Sequence, residues 1–265
     1  FNGYRRWSDI DTFNGDDSDY EACEDALDFL CLENDEVEQF VTDRYGQRIY
    51  AVDSLEGATA NRSATDQVSD GYGIEIRSPL WTIGLHREVA DIDFFSSTEL
   101  GALDSTRRAI PGGIFVGNAF TELGTEVTAN SLYAFSSWPL SNNLSAQFSG
   151  RWGNTRVKLN DRIGTALDGD HSFRRFNPAV GITWRLSDIS RLYLSYSESN
   201  RVPSPVELTC ADEDAPCRLP NAFLADPPLK DVVAKTWEIG MHRFHKSLDW
   251  HASIFRTLNQ DDIIF

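Results

Sequence analysis

Apolar and polar residues alternate in steps of two along most of the chain. Between positions 144 and 152 the even residues are Leu144, Ala146, Phe148, Gly150 and Trp152, and the odd ones include Ser145, Gln147, Ser149 and Arg151. A period of two sends successive side chains to opposite faces of an extended backbone, so this segment is predicted to be a strand with one apolar and one wet face. The same reading holds for Leu192, Leu194 and Tyr196, for Trp237, Ile239 and Met241, and for Trp250, Ala252 and Ile254. Earlier in the chain the apolar sets are Tyr72, Ile74 and Ile76, then Trp81, Ile83 and Leu85; a later set is Phe176, Val180, Ile182 and Trp184. The segment around Tyr133 alternates poorly, and its faces stay unassigned.

The connections alternate in length. Short joins fall at 78–79, 139–143, 187–190 and 245–247, with turn-forming residues or a bare gap. Long joins fall between them, at roughly 14–63, 98–125, 159–170 and 203–232. About nine strands then form hairpins whose short turns all lie at one end. Outer-membrane barrels sort their loops in this way, with short periplasmic turns and long extracellular loops. Tryptophan placement agrees: Trp81, Trp138, Trp184 and Trp250 each sit near a short turn, where an interfacial girdle would put them. Trp152 lies about eight residues up its strand, near the height of the opposite girdle. Ordinary core tryptophans would have no reason to prefer one end. The predicted fold is therefore all-β, an antiparallel up-and-down meander forming part of a transmembrane β-barrel, with the apolar sets on its convex, lipid-facing side.

Composition changes this picture in three places. The 265 residues carry 41 acids against 24 bases, and fourteen of the acids fall between positions 9 and 43, where there is no Lys or Arg. Such a balance argues against a nucleic-acid partner, which needs a basic face, and reads as a solvated acidic surface loop rather than a cation site. No apolar run reaches transmembrane-helix length, a test to which a β-barrel is blind. The four cysteines form two local pairs in polar stretches, which suits an oxidising compartment. Cys210 and Cys217 bracket a short loop ending in Pro216 and are predicted to bridge. A continuous helix over 21–32 would hold Cys23 and Cys31 about 12 Å apart, so a bridge there demands a turn or an interrupted helix.

Candidate chemistry is sparse. Histidines at 86, 171, 242, 245 and 251 show no metal or nucleophile-base spacing, and no phosphate loop, GxSxG or CxxC motif occurs. No catalytic residues, resident metal or cofactor are expected. The functional candidates are instead the polar residues that alternation turns toward a lumen: Gln147, Arg151, Arg175, Arg201, Glu238 and His242. Such groups either touch a passing substrate or pair with one another and with an occluding domain. Arg151, Arg175 and Arg201 fall on three neighbouring strands toward the long-loop ends, a grouping that would favour an anionic ligand.

The stretches "FNPAVGITWRLSDISRLYLSYSESNRVPSPVEL", "CADEDAPCRLPNAFLADPPLKDVVAKTWEIGMHR" and "LDWHASIFRTLNQDDIIF" resemble the C-terminal half of TonB-dependent outer-membrane receptors. The matching positions are Asn177, Pro178, Gly181, Tyr196, Arg201, Pro203, Glu207, Leu208, Asp226, Pro227, Leu229, Lys230, Glu238, Gly240, Asp262 and Ile263. The resemblance implies energy-coupled uptake of a scarce nutrient such as a ferric siderophore across the outer membrane of a Gram-negative bacterium. It also implies a small-molecule ligand, contact with outer-membrane lipid, and the TonB energy-coupling protein as partner through an N-terminal region. A whole receptor of this kind has a plug and about 22 strands, so residues 1–265 are expected to be one partial barrel domain with two unpaired edges, near Tyr4 and near Phe255. The alternatives are a passive porin with the same barrel physics and a soluble β-rich carbohydrate-binding protein, in which the apolar faces would have to meet a second sheet.

Overall fold

In a computed structural model, residues 1–18, 20–32, 39–210, 229–244 and 248–262 are described. The elements run in chain order as β1 (Asn2–Asp16), β2 (Tyr20–Ala22), β3 (Leu30–Leu32), β4 (Gln39–Phe40), a short α1 (Asp53–Glu56), β5 (Ala58–Arg77), β6 (Trp81–Leu103) and β7 (Ala109–Phe115). They continue as β8 (Thr121–Pro139), β9 (Leu144–Asp161), β10 (Gly169–Ser187), β11 (Ser190–Arg201), α2 (Pro205–Cys210), β12 (Val232–Arg243) and β13 (Trp250–Gln260). One large sheet has the order β1-β5-β6-β8-β9-β10-β11-β12-β13, with β7 added to the far end of β6. Every pairing in it is antiparallel. The meander has the nine long strands expected: seven carry the alternating sets, β8 is the poorly alternating segment around Tyr133 and β1 holds the edge near Tyr4. Among the described residues the sheet is not closed: β1, which holds Tyr4, pairs only with β5, and β13, which holds Phe255, pairs only with β12.

Register fixes the faces, because directly opposed residues of an antiparallel ladder share a side. Ile74 opposes Leu85, Leu85 opposes Leu132, Leu132 opposes Trp152 and Trp152 opposes Phe176. Farther along, Ala146 opposes Ile182, Ile182 opposes Leu194, Leu194 opposes Ile239 and Ile239 opposes Ile254. All the apolar sets thus lie on one face. The strand around Tyr133 now resolves: Leu132, Ala134 and Trp138 join that face, and Ser131, Tyr133 and Phe135 take the other. Its pattern was illegible because Ser136 sits among the apolar row while Tyr133 and Phe135 line the polar side.

That apolar face is bare. Ile182 is 46% exposed, Leu194 54%, Ile239 49% and Ile254 78%, and no second sheet covers them among the described residues. Burying a side chain of this kind is worth about 1.5–3 kcal/mol, so a face built of them calls for an apolar surrounding, which lipid supplies. Trp81, Trp138, Trp184 and Trp250 stand near the short turns, and Tyr72, Trp152, Phe176 and Trp237 stand farther up the same face. The residues at 245–247, one of the four short joins, lie outside those described.

Two of the long joins are more ordered than expected. A membrane strand needs only about 9–11 residues, yet β5 has 20 and β6 has 23, so both run on past the apolar belt. The join expected at 98–125 is largely a β-extension, β6 turning through Asp104 and Arg108 into β7. The acidic stretch is likewise not all loop: Asp9, Asp11 and Asp16 belong to β1, where alternation with Ile10 and Thr12 continues the ladder with β5. The rest of it leads into a small sheet of order β2-β3-β4. Leu30, Val41 and Ile49 of this region form a core with Leu55, Leu100 and Val116, which seats the excursion on the far end of β6 and β7.

Cys23 and Cys31 are bridged, with Cα atoms 5.0 Å apart. The helix that would have separated them does not form. The chain instead turns back between β2 and β3, Glu21 opposing Cys31 and Cys23 N–H donating to Phe29 O. The predicted bridge from Cys210 falls on Cys217, which lies outside the described residues, as do Asp226, Pro227 and Ile263.

Candidate functional site: the lumenal wall

Gln147, Arg151, Arg175, Arg201, Glu238 and His242 all fall on the face opposite the apolar one, as their alternation requires. This is also the face over which the chain folds inward at the far end. Leu208 of α2, with Val202 and Leu229, covers Leu123, Val157 and Leu159 and packs against Phe173. The local sequence explains that strap. Ser204 caps α2, accepting from Glu207 N–H at 3.2 Å, while Glu207 Oε2 accepts from Ser204 N–H at 2.6 Å, and Pro205 occupies the first helical position. Arg201 Nη1 donates to both carboxylate oxygens of Glu207, at 2.8 and 3.0 Å. Burial works against the charge on Glu207, but Arg201 and the two Ser204 bonds outweigh it and hold the carboxyl below its ordinary range. The motif RVPSPVEL is thus a strand end, a capping box and a buried leucine in sequence.

The other candidates are placed separately along the wall. Arg175 donates to Glu198 at 2.8 Å, Gln147 bonds Thr183 at 3.3 Å, and His242 lies 2.6 Å from Asp249. Arg175 and Arg201 are each matched by a carboxylate. Arg151 makes no ion pair among the described residues and borders two grooves. One, of about 600 Å³, is lined by Glu75, Arg77, His86, Tyr133 and Arg151. The other, of about 570 Å³, is lined by Arg151, Asn177, Glu198 and Asn200 among others. No group of three or more His, Cys, Asp or Glu is arranged for a metal ion among the described residues.

Register reveals a device that residue-by-residue reading missed. Tyr133 opposes Gly84, which opposes Glu75, and the tyrosine lies flat over the glycine to donate to Glu75 at 2.7 Å. Tyr4 opposes Gly71, which opposes Glu88, in the same arrangement. Tyr193 opposes Gly240 and crosses it to reach Glu238 at 2.5 Å and His251 at 2.8 Å. A Cβ at Gly84, Gly71 or Gly240 would stand 2.2, 2.3 or 2.5 Å from the tyrosine ring. The ring covers the bare glycine backbone and its hydroxyl fixes a carboxylate on the wall. Only cross-strand register could have disclosed it, since the three members come from two or three strands.

A second device lies at the motif around Asn177 and Pro178. The ladder between β10 and β11 registers only as far as Ala179 opposite Ser197. It ends at Pro178, which has no N–H to give. Side chains span the seam beyond, Arg175 to Glu198 and Asn177 to Asn200 at 2.6 Å, and Asn200 donates in turn to Asp231, just before β12, at 3.1 Å.

A meander of long antiparallel strands with one bare apolar face, aromatic girdles and a polar inner wall defines a transmembrane β-barrel wall. The sequence matches the family "TonB dependent receptor-like, beta-barrel" over residues 1–265, and the chain belongs to that family. Its members are outer-membrane receptors and transporters of Gram-negative bacteria. A search of curated proteins found no match. Among solved structures, the chain is similar to the copper transporter OprC, with 15% identity, a TM-score of 0.53 and coverage of 77% of this chain and 31% of that one. It is also similar to the ferric citrate transporter FecA in the unliganded form, with 14% identity, a TM-score of 0.50 and coverage of 77% and 29%. At such identities the likeness shows the fold. The chain spans about a third of the length of these receptors.

Proposed function

We propose that this chain is wall of a receptor that imports a scarce small-molecule nutrient, such as a ferric siderophore, across the outer membrane, driven through the TonB coupling protein. The observation that carries the reading is the inner wall: fixed carboxylates and one unmatched arginine, Arg151, border grooves open to the lumen. A passage built this way offers a ligand directional polar contacts, whereas an unselective pore needs none. The ferric chelate is the class suggested by family membership, and outer-membrane lipid is the surrounding suggested by the bare apolar face.

The preference for an anionic ligand rests on Arg151, because Glu198 and Glu207 offset Arg175 and Arg201. The test uses the full-length receptor in cells and radiolabelled ferric chelates of differing charge. Uptake that stops when the proton-motive force is collapsed supports the importer. Flux of unrelated small solutes that continues without that force would show a passive porin instead. Arg151→Gln is expected to lower uptake of an anionic chelate at least tenfold, the loss of about one charge-assisted bond. Unchanged uptake would assign Arg151 to contacts within the protein.

A further inference from the structure

The wall has a break between β10 and β11. As far as Ala179 and Ser197 a backbone ladder joins the two strands. Beyond that pair, among the described residues, β10 is laddered only to β9, out to Gly169 opposite Leu159, and β11 only to β12, out to Arg201 opposite Val232. Pro178 stands at the head of the break and has no N–H with which to continue the ladder. The sheet is thus two halves, one ending at β10 and one starting at β11, joined below and parted above.

Side chains close the gap. Arg175 opposes Gly153 on the inner face, whereas Glu198 opposes Lys235 and, two residues after Tyr196, falls on the outer face. They meet at 2.8 Å, and Asn177 meets Asn200 in the same way at 2.6 Å. Residues of opposite faces touch only where strands have separated enough to let them through. The closure leaves Arg175 Nε and Asn177 Oδ1 buried with no hydrogen-bond partner. Opening to water would satisfy both atoms, which offsets the two bonds that opening breaks. The third hold is apolar. α2 is tied to β11 through Arg201 and Glu207, while Leu208 rests on Leu123, Val157 and Leu159 of the other half. The groove of about 570 Å³ beside Arg151 takes its lining from both halves, Phe173 and Asn177 from one and Glu198, Asn200 and Val202 from the other.

We propose that the wall itself opens along this line to admit a ligand to that groove. The outer ends of β11 and β12 swing with α2 as one unit about the ladder below Pro178, which lifts Leu208 and widens the groove. Each half keeps its own ladders throughout, so the motion breaks no backbone pairing.

The experiment measures distances between spin labels in the full-length receptor in lipid vesicles, without reductant. Ser172→Cys with Leu258→Cys places labels on the outer face on either side of the break. Two distances should be resolved, and Glu198→Gln, which takes the carboxylate from Arg175, should raise the population of the longer at least threefold. Ile182→Cys with Ile254→Cys, below Pro178, should give one distance that Glu198→Gln leaves unchanged. A single upper distance unmoved by Glu198→Gln would overturn the proposal. In cells, Asn177→Cys/Asn200→Cys joined by a short, reductant-cleavable cross-linker should take up the radiolabelled ferric chelates at least tenfold more slowly, and cleavage should restore uptake. The same cross-link at Ile182→Cys/Leu194→Cys, within the ladder, should leave uptake unchanged, and the wild type with reductant controls for the bridge at Cys23. Heat-modifiable migration confirms that each variant is folded. Full uptake by the upper cross-linked receptor would overturn the opening as a step of transport. Only this second arm rests on the importer reading: if the wild type takes up none of the chelates, that reading falls, and the distances still decide whether the wall opens.

Discussion

Glycine and tyrosine act as pairs on the inner wall. At Gly84 the missing Cβ is what allows Tyr133 to lie across β6 and hold Glu75; an added methyl would stand 2.2 Å from the ring. Gly153 sits on the same face, and an added Cβ there meets nothing within 4 Å. Gly84→Ala should therefore destabilise the folded barrel by about 1–3 kcal/mol, as overpacking does. Gly153→Ala should shift it by less than about 0.5 kcal/mol. Urea titration of both variants in lipid vesicles, followed by tryptophan emission, checks the difference; equal midpoints would mean that Tyr133 swings aside at no cost.

At the scale of elements, the excursion between β1 and β5 depends on a local staple. The bridge between Cys23 and Cys31 closes a loop of sequence separation 8, and its loss is expected to cost about 2.5 kcal/mol through the freedom returned to the unfolded segment. The cost falls on β2, β3 and the core around Leu30, not on the long strands, which have their own ladders. Cys23→Ser/Cys31→Ser should speed protease nicking within residues 17–57 on intact cells while the barrel stays heat-modifiable. Unaltered nicking would show that the seat on Leu100 and Val116 is sufficient without the bridge.

For the whole molecule, the decisive property is that one face is a solvent for lipid and the other for water. Leu194 and Ser195 are adjacent in β11 but lie on opposite faces, Leu194 opposing Ile182 and Ser195 opposing Gly181. Leu194→Arg places a charge in the apolar belt and should cost about 2–4 kcal/mol of folding in the membrane. Ser195→Arg places the same charge on the lumenal side and should be tolerated. The fraction of heat-modifiable protein in outer-membrane preparations measures both, and equal tolerance would contradict the lipid-facing assignment of this face.

Alternation determined seven of the long strands and their faces, and the lengths of the joins determined the end at which the short turns lie, because a period of two is a local property that survives any tertiary arrangement. The faces of β8, the extension β7 and the small sheet β2-β3-β4 were decided by register and packing. Alternation placed Gln147, Arg151, Arg175, Arg201, Glu238 and His242 on one face for the same reason. What neighbours those residues have was decided by register and by the folding back of α2. Arg201 meets Glu207 because a capping box turns the chain at Ser204, and Arg175 meets Glu198 where the ladder ends. The bridge between Cys23 and Cys31 was open in the sequence because helix and hairpin give opposite answers at that spacing. The core of Leu30, Val41, Ile49 and Leu100 chose the hairpin, since only a folded-back sheet buries those four together. Contacts between strands far apart in the chain depend on which residue opposes which, and that pairing is set by the sheet as a whole.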